Sequence, residues 1–307
     1  TNNKNSKSTK CHMKINNLYL SNLKKKKINY REYLIKNTKL SIAQITSLSY
    51  DLQSGSYIKL HKKLLKGKKK NIYLENMKRL FKYIKSENFK TILDFGTGEA
   101  TKLPSILKYK KKLKKLYACD VSFNRLHEGY NYLKKELKKN ELSKIFLFCN
   151  KDFELPFKAN SIDVVLTFGV FENMTNKKMN DMFLELLRVS KKRLILVEPR
   201  NSNITDTELQ RMKKFKLNFN LNKILKNNNI IFVEDSWSKS IKDATPYSIR
   251  IIDKYSKSSN DIKFYLKNEN YPLEKIDNFF SNKFGKIIPI INNITIFRSL
   301  KNLYYFK

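Results

Sequence analysis

The sequence predicts an α/β protein whose central sheet is mainly parallel and covered by helices on both faces. Three observations carry this. Short apolar runs recur at Thr91–Phe95, Leu116–Cys119, Ile145–Cys149, Ile162–Thr167 and Leu194–Glu198. Helical stripes separate several of them: Leu126, Tyr130, Leu133 and Leu137 share one face, and Met179, Phe183, Leu186 and Leu187 another. Strands alternating with helices pair in parallel, because each crossover helix returns the chain to the same end of the sheet. Finally, 41% hydrophobic and 12% aromatic residues over 307 positions support one good-sized core and a smaller module.

Along the chain, residues 1–29 are polar and basic and are expected to form a disordered tail. Residues 30–69 read as a helical segment, or lid, broken at Ser54-Gly55-Ser56. Ile72–Ile84 is an amphipathic helix with Tyr73, Met77, Leu80, Phe81 and Ile84 on one face, and it opens a core spanning 70–255. Within that core, Ile230–Trp237 and Tyr247–Ile252 have no helix-length segment between them, so an antiparallel edge pair is expected. Ser256–Asn260 reads as a linker into a β-rich module over 256–307, where Ile287–Ile291, Asn292-Asn293 and Ile294–Phe297 make a hairpin pattern. Ile262, Phe264, Leu266, Phe279, Phe280, Ile288, Ile290 and Ile296 are its apolar candidates. No internal repeat is visible.

The formal charge of +37 suggests nucleic acid at first sight. Only nine residues are Arg, however, and the lysines lie in scattered runs such as 24–27, 68–70 and 110–112. A nucleic-acid groove concentrates Arg and aromatics on one surface, so solvated faces are the better reading. Cys11, Cys119 and Cys149 have no paired spacing, which speaks against a zinc site or disulfide framework and for a reducing, cytoplasmic setting. No apolar run reaches membrane-spanning length.

The informative segment is Ile92-Leu93-Asp94-Phe95-Gly96-Thr97-Gly98-Glu99-Ala100-Thr101, in which a buried strand enters a small-residue turn and then a helix. Gly-x-Gly alone equally fits an ordinary tight turn. Asp120 closes the second run, placed to accept hydrogen bonds from two ribose hydroxyls. Asp152 follows the third run and Asp163 begins the fourth. A dinucleotide fingerprint would want a third glycine at 101, against a pyrophosphate; Thr101 stands there instead.

This ordered series resembles the class I S-adenosylmethionine-dependent methyltransferases, whose Rossmann-like sheet has seven strands with the last antiparallel. The resemblance implies that Asp94 orients the glycine loop and the methionine amino group. Gly96, Thr97, Gly98 and Glu99 would lie at the cofactor, and Asp120 with Val121 at its ribose. Asp152 and Phe153 would meet the adenine, with Thr167 and Phe168 as the floor. Tyr50-Asp51-Leu52-Gln53-Ser54-Gly55-Ser56-Tyr57, Asp120-Val121-Ser122-Phe123-Asn124-Arg125, Glu172 and Glu198-Pro199 look similar to an uncharacterised bacterial group of these enzymes. That group has Pro-Asn after the glutamate, where this chain has Asn173-Met174.

Methyl transfer is an in-line attack that needs a base only if the acceptor must lose a proton. Glu172, beyond the fourth strand, is the first candidate for a base or acceptor contact; a surface or capping carboxylate is the plainer alternative. Tyr50 and Tyr57 would approach if residues 30–69 form a lid. His127 and Cys119 read as packing residues. The fourth run ends Leu166-Thr167-Phe168-Gly169, without the Asn/Asp-Pro-Pro-aromatic element of amino-methylating nucleic-acid enzymes, and no Pro-Cys nucleophile occurs. A small molecule or saccharide is therefore the favoured acceptor. An RNA or protein acceptor, and a cofactor-binding scaffold without turnover, are the alternatives. Residues 265–297 look like the zinc-ribbon-like activator of tRNA and translation-factor methyltransferases. With no Cys or His beyond residue 255, zinc is not expected.

Overall fold

In the computed structural model, the described residues are 29–68, 70–85, 88–150, 155–200, 204–237, 247–254, 264–265, 272–276, 279–281 and 287–297. The apolar runs form the parallel strands β1 (Thr91–Phe95), β2 (Lys115–Asp120), β3 (Ile145–Asn150), β4 (Ile162–Phe168) and β5 (Ser190–Pro199). Their order across the sheet is β3-β2-β1-β4-β5. The chain runs outward from β1 through β2 to β3, then crosses back to lay β4 and β5 on the other side of β1. This leaves the carboxyl ends of β1, β2 and β4 around one crevice.

The later pair is antiparallel, as the sequence suggests. β7 (Tyr247–Asp253) lies antiparallel to β5, and β6 (Val233–Ser236) pairs outside it. β6 is shorter than the 230–237 run: Ile231 is 92% exposed, so its side chain gains nothing from extending the edge.

Both faces of the sheet are buried, and β1 shows why its run is continuous. Ile92 packs into a cluster with α4 (Lys70–Lys85), α5 (Leu103–Tyr109) and α6 (Phe123–Glu136), through Phe81, Ile84, Ile106 and Leu126. Leu93, its neighbour, points to the opposite cluster, where α8 (Asn176–Val189) and α10 (Leu221–Asn227) contribute Met179, Phe183, Leu186 and Leu225. The remaining α7 (Lys139–Leu142) and α9 (Asp206–Phe215) lie at the periphery. The described part of the N-terminal segment is mainly helical, with α1 (Tyr30–Asn37), α2 (Ile42–Leu52) and α3 (Ser56–Lys66). A Ser41–Gln44 capping box starts α2, and Gly55 takes φ +87° to start α3. Leu34, Ile45, Leu48 and Leu52 form a small core of their own. Of the tail expected over 1–29, only Asn29, which caps α1, lies within the described residues.

The sheet differs from the expected seven strands at its other edge. The hairpin of β11 (Ile287–Ile291) and β12 (Ile294–Phe297) turns at Asn292 and Asn293, with φ of +49° and +61°. β12 then pairs in parallel with β3, matching Ile296 to Cys149. With β8 (Phe264–Tyr265), β9 (Pro272–Ile276) and β10 (Phe279–Ser281) the sheet reaches twelve strands among the described residues. The described strands of the β-rich segment expected over 256–307 thus continue the core sheet. The physical reason is the β3 edge, whose unpaired backbone groups β12 satisfies. Ile288 and Ile296 are buried and Ile290 is half-buried, while Ile262 and Leu266 lie outside the described residues.

Ile296→Ala is expected to cost about 2–5 kcal/mol, because a fully packed branched side chain is lost from the principal core. Truncation after residue 255 should lower the melting temperature and promote association through the uncovered β3 edge. Denaturant titration and size-exclusion chromatography check both; an equally stable monomeric truncation would refute the docking role of β12.

Candidate active site

The turn after β1 is built so that backbone can approach a ligand. Gly96 and Gly98 take φ of +73° and +61°, and Ala100 follows at +56°. A Cβ on Gly96 would stand 2.4 Å from Val170 Cγ2, and one on Gly98 2.7 Å from Arg125 Nη2. Neither position admits a side chain without a shift. The Gly98 amide donates to Asp120 Oδ2 at 2.9 Å, and the Ser122 amide to Oδ1 at 2.9 Å. One carboxylate therefore joins the β1 and β2 turns, and each oxygen retains acceptor capacity.

Asp94 lies beneath this turn, fully buried, with Lys102 Nζ 3.6 Å from Oδ2. Burial pushes its carboxyl above the usual range, against the pull of Lys102. The Thr97 hydroxyl, also buried, faces the same carboxylate and pulls against that shift. A buried carboxylate beside this turn suits a polar, partly cationic ligand, as the resemblance implies.

Glu99 faces a different neighbour. Its Oε1 accepts from the Gly55 amide at 3.0 Å and its Oε2 from the Ile58 amide at 2.7 Å, which caps the first turn of α3. Arg125 adds to this junction. Its guanidinium sits 4.6 Å from the Tyr50 ring centre and 4.3 Å from that of Tyr57, and its Nε lies 3.9 Å from Glu99 Oε1. The Ser122 hydroxyl donates to Asp51 Oδ1, a further tie between α2 and the β2 turn. Arg31, on α1, donates to Phe215 O at 2.8 Å and to Thr46 Oγ1 and Asn173 Oδ1 at 3.0 Å. Arg125, Asp51 and Arg31 were not singled out individually by the sequence. The signal for Asp51 and Arg125 lay in the 50–57 and 120–125 segments, and Arg31 had none.

On the β4 side, Thr167 is buried and donates to Glu198 Oε1 at 2.8 Å. Glu198 also accepts from the Val170 and Phe171 amides at 3.0 Å, which fixes the 3₁₀ turn Phe171–Asn173. Phe168 stacks on Tyr247 at 5.6 Å and meets Trp237 edge-on at 5.1 Å. Glu172 is buried beside Tyr247, and burial raises its carboxyl despite the nearby cations Arg211 and Arg31. Burial likewise lifts the Tyr247 phenol well above its ordinary value, with Glu172 and Glu198 adding to the shift.

These elements enclose a cavity of about 1230 Å³. Gly96, Thr97, Gly98, Glu99, Asp120 and Val121 line it, as do Phe168 and Tyr247, whereas Asp94, Thr167 and Glu172 stand behind its wall. Asp152 and Phe153 lie outside the described residues. His127 stacks against Phe123 and Cys119 is buried within β2, so both pack. Among the described residues, no cluster of His, Cys, Asp and Glu could hold a metal ion.

Burial pushes Glu198 up to about 8, with its hydrogen bonds to Val170 and Thr167 pulling against it. Between the ordinary 4.5 and about 8 the unfolded chain is ionised there and the folded chain protonated. Its stabilising contribution is complete below that window and falls by about 1 kcal/mol per pH unit as pH rises through it. Glu198→Gln should flatten this part of the stability–pH curve; denaturant titrations at several pH values with superimposable slopes for both proteins would refute the assignment.

Residues 93–197 match the family described as "Methyltransferase domain". A search of curated proteins finds no match to the chain. Among solved structures, magnesium protoporphyrin IX methyltransferase from Synechocystis PCC 6803 is similar in two forms. The form with bound S-adenosylmethionine is 13% identical, covering 71% of this chain and 99% of its own, with a TM-score of 0.51. The form with S-adenosylhomocysteine is also 13% identical, covering 68% and 98%, at 0.52. The methyltransferase domain of a bacterial CtHen1 is 17% identical over 60% of this chain and 100% of its own, at 0.47. Those two forms share the fold, and the domain match falls on the very strands and turns that surround the cavity. Residues 93–197 thus form a methyltransferase domain, and the sheet that carries it is Rossmann-like.

Proposed function

We propose that the cavity holds S-adenosylmethionine at its glycine-turn end and transfers the methyl group to a small molecule or saccharide. The observation carrying this reading is the Asp120 carboxylate, which bridges the Gly98 and Ser122 amides while lining the cavity. Its remaining lone pairs suit vicinal ribose hydroxyls. Gly96, Gly98 and Val121 would bear on the cofactor's body, with Phe168 as a wall. Asp94, behind the wall and paired with Lys102, would orient the glycine turn and with it the methionine ammonium. Asp152 and Phe153 are assigned to the adenine by the resemblance alone. Glu99 and Thr167 would act at one remove, the first by holding α3 and the second by anchoring Glu198.

The bound cofactor supplies a methyl group already activated on a sulfonium sulfur, so the protein's task is to position the acceptor and exclude water. Glu172 would act through Tyr247, whose ring forms part of the wall. As the acceptor's proton passes to the Tyr247 oxygen, the phenol proton would pass to Glu172. A carboxyl raised by burial is better matched to that step than an ordinary one. The net charge of +37 favours a second reading, an RNA acceptor, whose binding would fall steeply with added salt. A scaffold would bind the cofactor and methylate nothing.

The strands after residue 255 are read as a cover for β3 in the manner of the activator they resemble, held by burial without metal. No helix among the described residues is long and apolar enough to cross a membrane. Cys119 and Cys149 are buried thiols, which supports a reducing compartment such as the cytoplasm.

Calorimetry should detect S-adenosylmethionine and S-adenosylhomocysteine, and Asp120→Ala should weaken both by about 1.5–3 kcal/mol. No heat with either ligand, from a folded sample, would end this reading. Glu172→Gln should leave the affinity for S-adenosylhomocysteine unchanged yet slow methyl transfer by about 10²–10⁴-fold, with the loss in kcat and not in KM. Equal turnover would remove Glu172 from the proton path.

A further inference from the structure

The cavity exceeds the roughly 300–1,000 Å³ that commonly houses a single small ligand, so it has room beside the cofactor for a second molecule. Its walls differ in chemistry. Around the glycine turn they are polar. Away from it, Ile42, Leu60, Leu64, Ile72 and Met77 from α2, α3 and α4 present aliphatic surface. Phe168, Trp237 and Tyr247 form an aromatic group on the β4, β6 and β7 side. Tyr57 and Leu60 are 44% and 50% exposed although both line the cavity, so apolar area is left at the wall for a ligand to cover. The same helices and the α2 cap add Ser41, Thr46, His61 and Asn76 to the lining. The wall is thus a mainly apolar surface with polar groups set among it, which suits an apolar body better than a saccharide.

The charges in the wall are unevenly matched. Arg79 pairs with Glu75 at 2.9 Å, Lys102 with Asp94 at 3.6 Å and Arg125 with Glu99 at 3.9 Å. Arg200, directly after β5, lines the same cavity with its Nε buried and without a hydrogen-bond partner. Among the described residues it makes no ion pair, whereas Arg250, buried behind the wall, is matched by Glu234 at 3.5 Å. A guanidinium without a counter-charge beside an apolar wall selects an anion.

We propose that the methyl acceptor is an apolar or aromatic small molecule bearing an acid group, its body on the aliphatic and aromatic walls and its acid at Arg200. This inference rests on the methyltransferase reading of the cavity and narrows its substrate class.

The test uses two dyes on the full chain saturated with S-adenosylhomocysteine: anilinonaphthalene sulfonate, and the neutral N-phenylnaphthylamine with a similar body. Both should bind saturably at one site per chain, read by fluorescence. Arg200→Gln should weaken the sulfonate about tenfold and the neutral dye less than about twofold. Leu60→Asp, at a half-exposed position, should weaken both. Absence of saturable dye binding to the S-adenosylhomocysteine-saturated protein, or an Arg200→Gln protein that binds the sulfonate as before, would each overturn the acceptor class. Dye displacement by a short single-stranded RNA at low salt, lost at high salt, would reassign the cavity to nucleic acid. Calorimetry on the same samples separates the two levels. S-adenosylhomocysteine binding without dye binding rejects the acceptor class alone, and no S-adenosylhomocysteine binding rejects the reading beneath it.

Discussion

The Arg125 guanidinium, pressed between the rings of Tyr50 and Tyr57, is the interaction on which the site depends. Burial opposes a charge there, but Asp120, the two phenols and Glu99 outweigh it and keep the group cationic. Each aromatic contact to a desolvated cation is worth about 2 kcal/mol. The same side chain fills the space beside Gly98, so one residue sets the glycine requirement of the β1 turn and holds the N-terminal helices over it. Replacing one partner would strand a buried charge, which is why this junction acts as a unit.

Two buried carboxylates repeat a common device on opposite sides of the cavity. Glu99 gathers the amides that open α3, and Glu198 gathers those of the 3₁₀ turn after β4. Loops around a ligand must stay at the surface yet keep a fixed shape, and an internal carboxylate satisfies their amides without a regular ladder. Gly129 works toward the same end. A Cβ there would lie 2.9 Å from the Glu99 carbonyl carbon, so its absence lets α6 close onto the turn.

The fold itself was legible because burial writes a direct pattern. The five parallel strands follow the apolar runs, and α4, α6 and α8 follow their stripes. The glycine turn and Asp120 were legible too, since few residue types tolerate positive φ and few place two acceptors there. Glu99 and Thr167 were harder. Both stand at the expected positions, yet their polar atoms turn to partners 41–44 and 31 residues away in the chain, a choice that local spacing does not encode. Asp163 is similar: it opens β4 but spends its carboxylate on the Lys90 and Thr91 amides.

By itself the sequence determined the alternating α/β architecture, the strand-to-turn entry at Asp94–Gly98 and the Asn292-Asn293 hairpin, because each rests on local periodicity or local backbone conformation. Only the tertiary structure decided that β12 would cover β3, that Arg125 would bind the N-terminal helices, and that Glu172 would stand behind Tyr247. Those outcomes depend on edge pairing and on polar groups meeting across 50–150 residues of chain. Their energy comes from satisfying partners that have no signature at short range.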